Sequence, residues 1–280
     1  MATIYILFSA VFHASSSTMF KADGDRLVRS AFMGIISGCF AIPLVMFVPF
    51  PAPEVWPWLL GASAFQLMFI FATVKSLEYG DLSFTYPITR GFGPICVILV
   101  LGGFFGEEIP ASVLVGFLLV VVGIFEMAWS GFKHTTDKKN LKKALLYSLF
   151  GGITIGFYTI MDAKGVKLVE TPWSYIGWIF VLFAINTNMM AWLQRRQIYV
   201  QQLKKEFKRG IWAGLLGTAS YAAALLAFRT GQTTEIAALR ETSIVFALLI
   251  GYFFLKEDIG PRRIIAVIVI SVGAIVIKAF

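Results

Sequence analysis

Apolar runs of about 20 residues recur from one end of this 280-residue chain to the other. Because a helix rises about 1.5 Å per residue, each run can cross the roughly 30 Å hydrocarbon core of a bilayer. The stretches between the runs are too short to hold a soluble domain. The predicted bounds of the ten runs are 2–20, 29–49, 56–77, 83–105, 110–130, 141–163, 172–193, 209–229, 234–255 and 260–279. The pattern predicts an all-α membrane protein with ten transmembrane helices.

The composition supports this fold class and makes the lipid bilayer the expected partner of the outer surface. Hydrophobic residues make up 58% of the chain and charged residues 14%, whereas soluble domains average about 45–50% and about 25%. The net charge of +8 comes from short loops between apolar runs, so we expect no nucleic-acid partner. Cys39 and Cys96 lie inside apolar runs, which predicts small buried hydrophobes and no disulfide.

The two halves of the chain resemble each other at a shift of 150 residues. The shift superimposes Arg90 on Arg240, Phe104 on Phe254, Glu107 on Glu257, Glu108 on Asp258, Ile109 on Ile259 and Gly123 on Gly273. Five spans per half is an odd number, so the second half must begin on the opposite side of the membrane. We therefore predict two inverted five-helix repeats, 1–131 and 141–280, that enclose a central cavity.

Basic residues are concentrated in the loops that follow the first, fifth, seventh and ninth runs. These are Lys21, Arg26, Arg29, Lys133, Lys138, Lys139, Lys142, Lys143, Arg195, Arg196, Lys204, Lys205, Lys208, Arg209, Lys256, Arg262 and Arg263. Near the opposite side lie only Lys164, Lys167, Arg229 and Lys278. Since cytoplasmic loops carry the excess of Lys and Arg, we expect a multi-pass protein of a bacterial inner membrane with both termini in the periplasm.

Four segments resemble one known family. They are residues 9–15 (SAVFHAS), 86–94 (YPITRGFGP), 158–166 (YTIMDAKGV) and 239–243 (LRETS). Their order along ten duplicated spans is similar to the EamA-type branch of the drug/metabolite transporter superfamily. The resemblance implies ten helices around a cavity lined by spans one, three, four, six, eight and nine. It also implies transport of amino acids, related metabolites or drugs, often outward.

The chain departs from that family in two respects. Many relatives keep their termini in the cytoplasm, whereas the basic loops here indicate the reverse. Many relatives also carry Trp-Asn after the His-Ala-Ser of the first span, where this chain has Ser16 and Ser17. Two small hydroxyls in place of an aromatic ring and an amide predict a pocket of different size or hydrogen bonding.

Two arginines inside predicted spans are the leading candidates for substrate binding. Arg90 lies about two turns into the fourth span, with Tyr86 one turn earlier on the same face. Arg240 is its repeat partner in the ninth span. A pair of guanidinium groups suits a carboxylate, phosphate or phosphonate, and the alternative is an internal salt bridge. Glu241 joins the candidate set, but it points about 100° away from Arg240 and is expected to pair elsewhere.

Other polar residues complete the candidate site. His13, with Ser16 and Ser17, predicts a polar cavity wall, although a lone histidine is commonly structural. Asp162 and Tyr158 lie one turn apart and could bind a substrate amine, unless Asp162 pairs with Lys164 or caps its span.

Further polar groups inside the spans have expected roles apart from substrate contact. A buried acid could carry a coupling proton, but the sequence does not say which one. Glu126 is interpreted as structural, and Asn186 and Asn188 as links between helices.

Pro87 and Pro94 bracket Arg90, with Gly91 and Gly93 between them. Proline removes a backbone donor, so the fourth span could be unwound at this point and could expose backbone groups to the cavity. A kink that serves packing alone is the alternative. Glycines along several spans, among them Gly34, Gly38, Gly106, Gly116 and Gly123, predict close helix contacts.

These features together predict a secondary transporter of a small anionic or zwitterionic metabolite, such as an amino acid, organic acid or phosphonate. The alternatives are an exporter of hydrophobic cationic drugs and, more distantly, a non-transporting receptor or assembly subunit. The absence of a G-x-x-x-x-G-K-[ST] loop argues against ATP use. An enzyme is disfavoured, since the sequence has one histidine within the spans, no H-E-x-x-H motif and no Cys/His grouping. We expect no cofactor and no metal, a monomer or homodimer, and protons as the candidate coupling ion.

Overall fold

All regular structure in the described part of the chain is helical. The computed structural model describes residues 1–20, 25–80, 82–134, 140–255 and 260–279. The helices are α1 (Ala2–Phe20), α2 (Arg26–Phe47), α3 (Trp56–Tyr79), α4 (Leu82–Gly103), α5 (Ala111–His134), α6 (Leu141–Leu168), α7 (Pro172–Arg195), α8 (Tyr199–Thr230), α9 (Thr233–Arg240), α10 (Ser243–Leu255) and α11 (Pro261–Ala279). A single 3₁₀ turn, Pro53–Val55, leads into α3.

The outer surface of the bundle is apolar. Large hydrophobic side chains such as Phe40, Leu60, Leu99, Leu193 and Ile268 are exposed on different helices. A soluble monomer does not leave so much apolar surface in water, whereas lipid solvates it without cost. Six helical segments in the described part are long and apolar enough to cross a membrane, and α1, α5 and α11 contribute shorter apolar segments. The prediction of an all-α, multi-pass membrane protein is confirmed.

The fourth run does not have the break that its prolines suggested. Helix α4 continues through both Pro87 and Pro94. The interruption lies instead in the ninth run, which is divided into α9 and α10 at Glu241 and Thr242. At this point the amides of Glu241 and Thr242 donate to carbonyls three residues earlier, both at 3.1 Å. One tight turn of 3₁₀ type therefore separates the two helices.

The loop predicted after the seventh run is largely helical. Helix α8 begins at Tyr199, ten residues before the apolar run. Within this extension, Glu206 is buried against Arg29 of α2. The Nε and Nη2 atoms of Arg29 both lie 2.9 Å from Oε2 of Glu206. Phe207 packs edge-on against Phe32, with ring centroids 5.8 Å apart. These contacts attach the basic extension to α2.

Several basic residues used to predict orientation lie outside the described residues. Lys21, Lys138, Lys139 and Lys256 are in the gaps between the described ranges, and so are Glu257, Asp258 and Ile259 of the repeat comparison. Of those that are described, Arg26 lies at the start of α2, Lys142 lies near the start of α6, and Arg195 and Arg196 lie at the end of α7.

Glycines allow a close backbone contact between α5 and α11. A Cβ atom added at Gly116 would lie 2.5 Å from the carbonyl oxygen of Gly273, and the reverse distance is also 2.5 Å. Gly106 does not serve such packing, because it lies beyond the end of α4 with a φ of 62° and has no atom near its Cβ position. Its role is to allow the left-handed backbone of the turn.

Replacing Gly116 with alanine is expected to destabilise the fold by about 1–3 kcal/mol, because the helices must move apart to admit the methyl group. The thermal unfolding midpoint in detergent measures the effect. Gly103→Ala is the matched control, since Gly103 has nothing within 4 Å of its Cβ position. A midpoint for Gly116→Ala at or above that of the wild type would contradict the packing interpretation.

Candidate functional site

A cavity of about 280 Å³ lies inside the bundle and collects most of the predicted site residues. His13, Ser16, Ser17, Tyr86, Arg90, Tyr158 and Arg240 all line it. They come from α1, α4, α6 and α9, so segments distant in sequence meet around one space. Asp162 and Glu241 are not among the lining residues, and each is almost fully buried behind the wall.

Arg90 is held by two residues that flank the break between α9 and α10. Its Nε atom lies 3.0 Å from Oε2 of Glu241, and its Nη2 atom donates to Oγ of Ser243 at 2.7 Å. Both members of the ion pair are at most 4% exposed. The Tyr86 ring lies on the other side, with its centroid 6.0 Å from the guanidinium carbon of Arg90. Glu241 therefore pairs with Arg90 and not with its sequence neighbour Arg240, as the helical angle predicted.

Arg240 has a different environment from its repeat partner. It is 7% exposed, it lines the cavity, and its Nε atom has no hydrogen-bond partner among the described residues. The charges of Glu241 and Asp162 act on Arg240 across a distance. However, Glu241 is already paired with Arg90, and Asp162 accepts hydrogen bonds from tyrosines. Arg240 thus presents a positive charge and a buried, unused donor beside the cavity.

Asp162 lies behind Tyr221 and makes no contact with Lys164. The hydroxyl of Tyr175 donates to Oδ1 at 3.0 Å, and that of Tyr221 donates to Oδ2 at 2.5 Å. Lys164 instead pairs with Glu107 at 2.7 Å. The structure therefore places Tyr158 in the cavity wall and Asp162 behind it.

Further hydroxyl groups line the cavity that the sequence analysis did not select: Ser30, Ser37, Thr73, Thr218 and Ser220, together with Gln66 and Tyr221. Some of them also link helices. Ser37 and Thr218 share a hydrogen bond of 2.8 Å, and Oγ of Ser16 donates to the carbonyl of Ala213 at 2.9 Å. Small hydroxyl residues are common in membrane helices, so only their shared helix faces could have indicated them.

The cavity continues toward one end of the bundle. Arg26, Val74 and Leu77 line both the cavity and a larger cleft of about 460 Å³. Two ion pairs border the cleft, Arg195 with Asp25 at 2.6 Å and Lys75 with Glu78 at 2.7 Å. At the other end of α2 and α3, the rings of Phe50, Trp56 and Trp178 contact one another, with centroids 5.1–5.4 Å apart.

Three further polar residues within the spans, Arg229, Asn186 and Asn188, have structural partners. Nη1 of Arg229 donates to the carbonyls of Val166 and Lys167 at the end of α6. Asn186 donates to Ser63 of α3 at 2.7 Å, and Asn188 donates to the carbonyl of Ala31 in α2 at 3.1 Å. These contacts agree with the expected role of the asparagines in linking helices. In the described ranges, His, Cys, Asp and Glu side chains form no group of three that could hold a metal ion.

Comparison with known proteins identifies relatives over most of the chain. Residues 1–129 and 142–279 match the model of the EamA-like transporter family. A protein of Latilactobacillus sakei named "Putative ribose uptake protein RbsU" is 24% identical over 266 residues, covering 86% of this chain and 84% of that protein. An uncharacterised transporter of Archaeoglobus fulgidus is 23% identical over 230 residues, covering 75% of each protein.

A solved crystal structure has the same fold. It covers 99% of this chain and 96% of its own, with a TM-score of 0.74 at 13% sequence identity. The apolar helices, the internal cavity and the match of both halves to one family model agree with the resemblance seen in the sequence. The chain belongs to the EamA-like transporter family and is a multi-pass membrane protein of that family.

Proposed function

We propose that this protein is a secondary transporter that moves a small anionic or zwitterionic metabolite by alternating access. The proposal rests on Arg240, which lines the cavity and whose buried Nε atom has no hydrogen-bond partner in the part of the chain that the structure describes. A permanent charge inside a membrane protein is costly unless an opposite charge or water compensates it. A carboxylate, phosphate or phosphonate on the substrate would supply that charge and accept the free donor.

The proposed substrate contacts are Arg240, His13, Ser16, Ser17, Tyr86 and Tyr158. Arg90 and Glu241 are proposed to form a neutral pair that fixes the wall. Because Glu241 is paired with Arg90, it does not neutralise Arg240. A positive charge at the cavity would repel a cationic ligand, so we disfavour the alternative that the substrate is a hydrophobic cationic drug. No cofactor is needed for this function.

A second substrate class has one observation in its favour, namely the many hydroxyl groups on the wall. Ser17, Ser30, Thr73 and Ser220 are of the kind that bond to sugar hydroxyls, and one relative is named for ribose uptake. An uncharged sugar would leave Arg240 unpaired, so we rank it second. A sugar acid would satisfy both the hydroxyl groups and the arginine.

The helix contacts support ten spans in two inverted repeats, 1–131 and 141–280, with α9 and α10 together forming the ninth span. Under the proposed repeat, α3 of the first half corresponds to α8 of the second, and α1 corresponds to α6. The extensive contact of α3 with α6 then corresponds to that of α8 with α1, and the contact of α4 with α6 corresponds to that of α10 with α1. The α2–α7 and α5–α11 contacts map onto themselves. Such a pattern is expected around a two-fold axis in the membrane plane.

We propose a bacterial inner membrane location with both termini in the periplasm. The cleft that leads to the cavity lies at the end that carries Arg26 and Arg195. If the positive end is cytoplasmic, the structure represents an inward-open state. Rocking of the two halves would then open the opposite end near the cluster of Phe50, Trp56 and Trp178.

A reporter fused to the carboxyl terminus tests this orientation. We expect alkaline phosphatase, which is active only in the periplasm, to be active at this position. Green fluorescent protein, which fluoresces only in the cytoplasm, should remain dark. The control is the same pair of reporters fused in the basic segment after α7, where the opposite result is expected. Fluorescence at the carboxyl terminus would overturn the orientation.

A thermal-shift screen of the purified protein tests the substrate class. The panel contains amino acids, organic acids, sugar acids, phosphonates and neutral sugars, and cationic drugs serve as the contrasting group. We expect the anionic or zwitterionic members to raise the unfolding midpoint, because a ligand that binds only the folded state stabilises it. Saturable uptake of the stabilising solute into proteoliposomes would then establish transport. Stabilisation by cationic drugs alone would contradict the proposal.

A further inference from the structure

Asp162 is a membrane-embedded acid that the substrate site does not use. It is 1% exposed and accepts hydrogen bonds from Tyr175 of α7 and Tyr221 of α8. Among the described residues it has no basic partner within ion-pair distance. An ionisable side chain inside a membrane-spanning helix is costly and usually has a partner or a function, so a structural role alone is a poor reason for it.

Tyr221 connects Asp162 with the cavity. The Nε2 atom of Gln66 donates a hydrogen bond to the hydroxyl of Tyr221, which in turn donates to Asp162. Gln66 and Tyr221 both line the cavity. The Oε1 atom of Gln66 is buried and has no hydrogen-bond partner within the described ranges. A chain of hydrogen bonds therefore runs from an unused acceptor in the cavity wall to a buried carboxylate.

The charged and titratable groups near this chain come from the helices that pack on α6. Helix α7 contributes Tyr175 and α8 contributes Tyr221, while Tyr158 of α6 itself lies near Tyr221. The cation whose charge acts on Asp162 is Arg240 of α9. The arginine of α4, Arg90, is paired with Glu241. Asp162 is thus placed to influence the same guanidinium group that faces the cavity.

We propose that Asp162 binds the proton that drives transport, and that Tyr221 and Gln66 relay its protonation state to the substrate cavity. This inference rests on the proposed function, since it gives the carrier its coupling residue. Proton binding converts the carboxylate of Asp162 into a carboxylic acid, and the proton comes from water on the side to which the cavity is open.

Protonation reverses the direction of the hydrogen-bond chain. In the ionised state Gln66 donates to Tyr221 and Tyr221 donates to Asp162, which leaves Oε1 of Gln66 without a partner among the described residues. Once Asp162 carries a proton it can donate to Tyr221, whose own proton must then go to an acceptor. A half-turn of the Gln66 amide supplies Oε1 as that acceptor. The same rotation turns the two N–H donors of Gln66 toward the cavity, where an anion can use them.

Proton binding also changes the electrostatics at Arg240. The ionised Asp162 attracts the guanidinium group and competes with a bound anion. Neutralising Asp162 removes this competition, so a proton and an anionic substrate bind more tightly together than separately. Because such linkage is reciprocal, the anion must also raise the affinity of Asp162 for its proton. The two ligands would therefore move in the same direction.

Infrared difference spectroscopy of the purified protein tests the proton site without a substrate. Spectra recorded between about pH 4 and about pH 9 cover the range in which buried carboxyl groups titrate. We expect a protonated-carboxyl band that is lost in Asp162→Asn, shifted in frequency in Tyr221→Phe and retained in Glu126→Gln, the matched control in α5. If Asp162→Asn does not fold, Asp162→Glu is measured in its place. Because this variant keeps a carboxyl group in a different position, its protonated-carboxyl band should be shifted in frequency. An unchanged band in Asp162→Asn would overturn the proposal.

Proteoliposomes loaded with gluconate, a sugar acid, test the coupling. Counterflow exchange of radiolabelled gluconate needs no gradient and should persist in Asp162→Asn. A gradient of one pH unit can sustain about tenfold accumulation with one proton per solute, and we expect Asp162→Asn to lose this accumulation. Accumulation by Asp162→Asn at the wild-type level would overturn the coupling role. Absence of counterflow in the wild type would count against the anionic substrate instead, while the infrared result would still decide the proton site.

Discussion

Arg240→Ala should strongly weaken binding of the anionic solute and leave the protein folded and inserted. Hydrogen bonds to a charged group contribute about 1.5–3 kcal/mol, so the loss of the guanidinium group should weaken binding by about 10-fold to 150-fold. The fold should tolerate the change, because it removes a buried charge that has no ion-pair partner among the described residues. Isothermal titration of the solute identified in the thermal-shift screen measures the loss.

Two further variants control for this result. Arg240→Lys retains the charge but not the planar fork, so it should restore part of the affinity. Arg229→Ala also deletes an arginine, but one that bonds to the carbonyls at the end of α6 and does not line the cavity. It should lower stability modestly and leave the affinity unchanged. Wild-type affinity in Arg240→Ala would eliminate the anion pocket.

Arg90→Ala should have the opposite profile, with a large loss of stability. Removing one member of a buried ion pair costs about 3–5 kcal/mol, because the remaining charge is left without compensation. Here Glu241, which is 2% exposed, would lose its ion-pair partner, and Oγ of Ser243 would lose the hydrogen bond that Arg90 donates to it. Both residues lie at the break between α9 and α10, so the position of the Arg240 side chain should change as well. The thermal unfolding midpoint and the yield of monodisperse protein measure the effect.

A double variant separates the effect of the unpaired charge from other effects. Arg90→Met combined with Glu241→Leu removes both charges and replaces them with apolar groups of similar volume. We expect this double variant to be more stable than Arg90→Ala, since no buried charge remains unpaired. If Arg90→Ala were as stable as the wild type, the ion pair would not hold the break, and Arg90 would return as a candidate for substrate contact.

The two arginines illustrate which features of the site could be predicted from the sequence and which could not. The repeat placed Arg90 and Arg240 in equivalent positions, and both do line one cavity. Sequence also indicated that Glu241 would turn away from Arg240. It could not indicate that Glu241 would meet Arg90, because that contact joins residues 151 positions apart across the bundle. Symmetry in sequence therefore predicted two equal arginines, and a single acidic residue makes them different.

Asp162 illustrates the same limit. Its position in an apolar segment marked it as functional, and its sequence neighbours suggested Tyr158 or Lys164 as partners. Its actual partners are Tyr175, which follows in the next helix, and Tyr221, which is 59 residues away. A helix face presents a side chain to whichever helix packs against it, so the partner depends on the packing. The unpaired oxygen of Gln66 could not be inferred from sequence at all.

The sequence by itself determined the helices, the membrane environment and the family, because helix length and apolar composition follow directly from the thickness and polarity of the bilayer. It also identified seven of the polar residues that line the cavity, among them both arginines within the spans, since a charge is costly in lipid. Only the tertiary structure decided where the helix is broken, which arginine is paired and which acid lies behind the wall. Those outcomes depend on contacts between distant helices, and their energies are set by distance and geometry that a linear pattern does not contain.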